Sequence, residues 1–198
     1  MKVKPIPAEY VKRIKDWTRA NPRNYALFVI GINTGLRASD LVRLRLSDFW
    51  NGRFKHYLII KQHKTGRNVK IAINQPVVEA VSLWRGDNPN APPHAHLFYT
   101  TKRGHGRNYE KPITPDHVGR LVRQWCWWVG LRDGSYGAHS LRKTRGRAIY
   151  EYAAKSLGVA DAWLVAANVL GHKDPKVTKA YIDITDEAQE RIELACAL

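Results

Sequence analysis

Residues 24–33 are apolar on most sides, with Tyr25, Leu27, Phe28, Val29, Ile30 and Ile32 in one stretch that Gly35 ends. A helix with so little polar face to offer solvent is a buried helix. Around it the sequence marks out further helices. Pro7 opens one whose stripe is Tyr10, Ile14 and Trp17. Another begins near Ala38 with Leu41 and Leu44 inward, and Pro76 starts one carrying Val77, Val81 and Trp84. Thr114 caps a helix with the stripe Val118, Leu121, Val122, Trp125 and Val129. His139 or Ser140 begins a long one ending near Gly158, and residues 162–170 form another, closed by Gly171. Thr185 caps a last helix that includes Ile192 and Leu194. Two β-rich runs, 54–61 and 68–73, flank Lys64-Thr65-Gly66-Arg67 and predict a hairpin with a basic tip. Residues 97–99 predict a short strand, and 102–111 a basic loop or hairpin tip. The expected fold is mainly α with one small antiparallel β-sheet, an α+β domain without internal repeats.

Charge narrows the partner. Residues 183–193 hold five acidic residues and one arginine, a local charge of −4, which leaves +20 on the rest of a chain of formal charge +16. A charge of that size attracts a polyanion and implies salt-sensitive binding, so nucleic acid is the expected partner. A hydrophobic fraction of 44% with seven tryptophans argues against disorder. No apolar run approaches the ~18–20 residues of a membrane span. The first residues lack the apolar core of a signal peptide, and a cytoplasmic protein is expected. Cys126 and Cys196 lie in apolar helical stretches and fit no zinc spacing; they read as buried thiols.

The residues able to do chemistry fall in separate short motifs. Arg37 follows a glycine at a helix start, and Arg142 stands three residues after His139, on the same helix face. Arginine stays charged and grips phosphate oxygens with a planar fork. Lys64 sits at the hairpin tip, where a lysine can enter a DNA groove and give a proton to a leaving oxygen. Lys61, Arg67 and Lys70 are near it, and chemistry alone does not choose Lys64 over Lys61. Tyr181 lies nine positions after His172. Its phenol, with an ordinary pKa near ~10, needs a base or a strongly positive site before it can act as a nucleophile. The histidines form no HExxH pattern and no carboxylate pair is placed for two-metal catalysis, which favours covalent chemistry.

In their order, these motifs resemble the catalytic domain of tyrosine recombinases, the phage-integrase family. They are Thr34-Gly35-Leu36-Arg37 with Ser39-Asp40, then Lys64-Thr65-Gly66, His139-Ser140-Leu141-Arg142, Leu170-Gly171-His172 and Tyr181, and the likeness covers roughly residues 7–184. The resemblance singles out Lys64 and implies a site-specific recombinase that cuts and rejoins double-stranded DNA through a 3′-phosphotyrosine. Tyr181 would be the nucleophile, Lys64 the acid for the departing oxygen and His139 the base. Arg37, Arg142 and His172 would hold the phosphate, and Asp40 would support the site from behind. No cofactor, ATP or metal is implied. Self-association on DNA as a dimer or tetramer is, together with accessory DNA-bending or directionality proteins. Related chemistry without strand exchange, as in type IB topoisomerases, and a DNA-binding regulator without turnover are the alternatives. The expected organisation is a catalytic domain over 1–184, with 1–6 flexible, and a helix or tail over 185–198 that docks on a neighbour or folds back. With 33 residues ahead of Thr34 there is no room for the helical core-binding domain found in most members, so the chain is expected to be either a piece of a longer recombinase or a minimal one, similar to the short fimbrial phase-variation invertases.

Overall fold

The computed structural model describes residues 3–102, 106–133, 135–172 and 175–182. At its centre is the apolar helix of residues 24–33. After α1 (Ala8–Thr18), α2 spans Pro22–Thr34, with the Asn21 side chain accepting from the Asn24 N–H at 3.1 Å. Residues 25–30 of α2 are buried throughout. Gly35 closes the helix at φ 64°, a left-handed cap that costs glycine nothing. Trp17 departs from the expected inner stripe: Ile14 is fully buried, but Trp17 is 53% exposed and stacks on Trp128 at 5.2 Å. Residues 4–6 depart too. Expected to be flexible, they are pinned by Lys4 N–H on the Ser135 carbonyl, by Ile6 N–H on Thr144 Oγ1, and by burial of Ile6.

The helix expected from Ala38 is one turn, α3 (Ala38–Leu41), followed by α4 (Leu46–Phe49). Leu41 and Leu44 do point inward, but residues 44–46 pair with 95–97 through Leu97 N–H on Leu44 O and Leu46 N–H on Ala95 O. That pairing straightens the chain and ends the helix. Strands β1 (Tyr57–Lys61) and β2 (Asn68–Ala72) form the predicted antiparallel hairpin, with Tyr57 opposite Ala72 and Lys61 opposite Asn68. Helix α5 spans Gln75–Asp87.

A second two-stranded sheet, β3 (Tyr99–Lys102) with β4 (Gly106–Pro112), stands where the sequence suggested a basic loop or hairpin tip. Tertiary contacts make this polar stretch a strand. Tyr109 packs edge-on against Tyr99 and Trp84 and donates to Asn88 Oδ1 at 2.9 Å, and Arg107 pairs with Asp87 at 2.9 Å. The remaining helices are α6 (Pro115–Trp128), α7 (Ala138–Leu157), α8 (Val159–Leu170) and α9 (Pro175–Ile182). The final helix expected after Thr185 lies outside the described residues, as does Cys196. Cys126 is buried and free, its thiol pushed up to about 12 by burial.

The crossing of α7 over α2 positions the site. A Cβ on Gly31 would meet Leu141 Cδ1 at 2.7 Å, so the glycine leaves the Leu141 side chain room to pack against α2. That approach brings the end of α2 beside the first turns of α7.

Candidate active site

Three helix ends meet around one buried arginine. Arg142, on the second turn of α7, is 3% exposed. Its Nη1 donates to the carbonyl of Gly35, just past the end of α2, and its Nη2 to the carbonyl of Leu170, the last residue of α8. Helix C-termini leave carbonyls unpaired and carry partial negative charge, which a guanidinium satisfies. Gly35 and Gly171 both cap their helices in the left-handed conformation, at φ 64° and 63°. Arg142 thus joins Thr34-Gly35-Leu36-Arg37, His139-Ser140-Leu141-Arg142 and Leu170-Gly171-His172 into one cluster. Burial pulls its guanidinium below the ordinary value; Tyr181 opposes that shift and Arg37 adds to it.

Tyr181, on α9, reaches into this cluster. His139 Nδ1 lies 3.1 Å from its Oη. The ring of His172 meets the tyrosine ring edge-on at 5.1 Å, and the Nζ of Lys143 lies 4.9 Å from the ring centroid. Burial raises the phenol above its usual 10, while the charge and hydrogen bonding of Arg142 and the charge of Arg37 hold it down. His139 is lowered from its ordinary value by loss of water around the ring, and then by the charges of Arg142, Lys143, Arg37 and Lys64. His172 is pulled to about 4 by burial, then by Arg142 and Arg37. Its Nδ1 lies 2.8 Å from the Oγ1 of Thr178, which is fully buried. Both imidazoles are therefore neutral near pH 7, surrounded by cations, beside a phenol.

The hairpin supplies the other side. Arg37, half-buried at the start of α3, donates from Nη1 to Gln62 Oε1 at 3.0 Å. Asp40 is buried and accepts the His63 backbone N–H on Oδ1 at 2.7 Å. Lys64 stands exposed on the turn between β1 and β2, near enough for its charge to act on His139.

The structure brings Arg37, Asp40, His139, Arg142, His172 and Tyr181 together, and Lys64 acts on them from the exposed turn through its charge on His139. Three others were missed. Lys143 is 4% exposed and lies four residues after His139, so the same helix-face rule that paired His139 with Arg142 would have found it. Gln62 and Thr178 carry no comparable signal, because their roles depend on which side chains the fold brings to them. Among the described residues no three of His, Cys, Asp or Glu group as metal ligands, and no helix is long and apolar enough to cross a membrane.

The model of the phage integrase family matches residues 6–188. The chain is 28% identical over 187 residues to the probable integrase/recombinase YoeC of Bacillus subtilis (strain 168), covering 93% of this chain and 92% of that protein. The crystal structure of XerA recombinase superposes with a TM-score of 0.73 at 15% identity, over 100% of this chain and 65% of that one. That of XerH site-specific recombinase, bound to palindromic difH substrate in a post-cleavage complex, gives 0.68 at 19% identity, over 100% of this chain and 54% of that one. The chain therefore spans only about half to two thirds of these solved recombinases.

Proposed function

The chain belongs to the phage integrase family, matched by that family's model over residues 6–188, and from this premise we propose that it is a site-specific DNA recombinase with Tyr181 as its nucleophile. The observation that carries the reading is the 3.1 Å approach of Tyr181 Oη to the ring of His139 beside Arg142. A neutral His139 protonated on Nε2 accepts the phenolic proton on Nδ1. The phenolate then attacks the scissile phosphorus, a 3′-phosphotyrosine forms and the bond to the 5′ oxygen breaks. Lys64 gives that oxygen its proton. Arg37 and Arg142 hold the non-bridging oxygens as negative charge builds, and losing one such donor typically costs ~3–4 kcal/mol of barrier. Thr178, donating its hydroxyl proton to Nδ1 of His172, leaves Nε2–H of that ring as a further donor to the phosphate. Asp40 fixes the hairpin that carries Lys64. The phosphodiester energy stays in the covalent link, so a 5′-hydroxyl from another strand can reverse each step without ATP.

Double-stranded DNA as substrate is supported by the charge of +16 and by the difH complex of XerH. Exchange between two duplexes calls for more than one protomer, and self-association on DNA is part of the reading. The outcome is integration, excision or inversion of a DNA element. The test is a two-site assay with purified protein and paired DNA segments taken from either side of its gene. Recombinant joints are expected. Plasmid relaxation without any exchanged joints would replace the recombinase with topoisomerase-like activity.

A further inference from the structure

Gln62 has no part in the chemistry above, yet it sits where the two sides of the site touch. It follows β1 directly, is 6% exposed, and its Oε1 accepts both Arg37 Nη1 at 3.0 Å and Thr65 Oγ1 at 2.8 Å. Those two bonds use both lone pairs of the oxygen. Its backbone closes the turn in both directions, N–H to Arg67 O at 2.8 Å and carbonyl from Gly66 N–H at 2.9 Å. The next N–H, of His63, is taken by Asp40. Lys64 therefore stands between two residues that are each tied to the Arg37 segment, His63 through Asp40 and Thr65 through Gln62.

We propose that Gln62 is a positioning residue whose carboxamide oxygen locks the Lys64 turn to Arg37, so that the proton donor and the phosphate clamp keep one fixed geometry. The inference rests on Lys64 being the acid, as proposed above. If the oxygen is removed, Arg37 keeps its charge and the hairpin its backbone pairing, but the tip is free to shift. Proton delivery to the leaving oxygen is then the step that suffers.

The experiment compares two nicked duplex substrates, one with the ordinary 5′ oxygen at the scissile bond and one with sulfur in that bridging position. A thiol, with a pKa near ~8.5, leaves as thiolate without a proton donor. Single-turnover formation of the covalent complex is measured on both. Gln62→Met is expected to slow cleavage at least about tenfold on oxygen while staying close to wild type on sulfur. Gln62→Asn, which keeps the amide but withdraws its oxygen, gives the same pattern, so the test survives should the methionine variant fold poorly. Gln62→Glu, which retains the acceptor, keeps the wild-type ratio of sulfur to oxygen rates. Equal slowing on both substrates by Gln62→Met and Gln62→Asn, or none on either, overturns the inference. Lys64→Ala is the internal control. If sulfur rescues it but not the Gln62 variants, the positioning role alone fails. If sulfur does not rescue it, the acid assignment fails and the inference with it.

Discussion

The two sides of the site are held by different means. Around Arg142 the polar groups are buried and bonded to main-chain carbonyls at helix ends, so that side inherits its geometry from the packing of α2, α7 and α8. Around Lys64 the turn is exposed, and two side-chain contacts tie it to the Arg37 segment, Gln62 to Arg37 and Asp40 to His63. Stability and activity are therefore bound together on one side and separable on the other.

Arg142→Ala breaks that comparison hardest. It leaves the Gly35 and Leu170 carbonyls without their donor, at roughly 1–3 kcal/mol of stability each, and removes one arm of the proposed phosphate clamp. Denaturant unfolding and single-turnover cleavage are both expected to fall sharply; a variant that loses cleavage at unchanged stability would show that the carbonyl bonds are incidental. Lys64→Ala is the counterpart. Cleavage should slow by about 10²- to 10⁴-fold, while the unfolding free energy stays within about 0.5 kcal/mol, because the side chain is exposed. A clear loss of stability there would mean that the tip is as built-in as the interior.

Gly35→Ala sharpens the comparison from the backbone. Its left-handed φ costs an L-residue about 1–2 kcal/mol, and the new Cβ would meet Arg145 Cγ at 3.1 Å. Stability should drop by at least that amount, with cleavage slowed because the Arg142 acceptor moves. A variant as stable as the wild type would show that the cap is not under strain. The smallest effect is on pH. With His139 lowered by burial and by Arg142, Lys143, Arg37 and Lys64, its neutral form persists into acid. The cleavage rate should therefore hold as pH falls to about 6.5 and decline only below it. A decline centred above that value would contradict a depressed imidazole.

The buried side was the more legible in the sequence, for a physical reason. Gly35 and Gly171 stand out because a left-handed cap demands glycine, and the three-residue spacing of His139 and Arg142 follows from helical geometry. The apolar run of α2 and the two β-rich runs flanking Lys64 were legible from composition. Three kinds of feature did not show. The strand β4 is polar and forms because Tyr109 finds Trp84, Tyr99 and Asn88. The helix at Ala38 is cut to one turn by pairing with residues 95–97. Trp17 turns outward because a second tryptophan waits on α6 to stack with it. In each case a distant partner overrides a local preference, and local pattern cannot announce it. Gln62 belongs to the same group.

Whether Tyr181 forms the covalent bond to DNA is decided by a single comparison. Wild type and Tyr181→Phe are incubated with a nicked duplex whose cleaved strand diffuses away, and covalent protein–DNA complex is measured after denaturation, with DNA binding measured in parallel. An abundant covalent complex is expected for the wild type and none for Tyr181→Phe, at similar DNA affinity. A covalent complex that persists in Tyr181→Phe would contradict the nucleophile assignment.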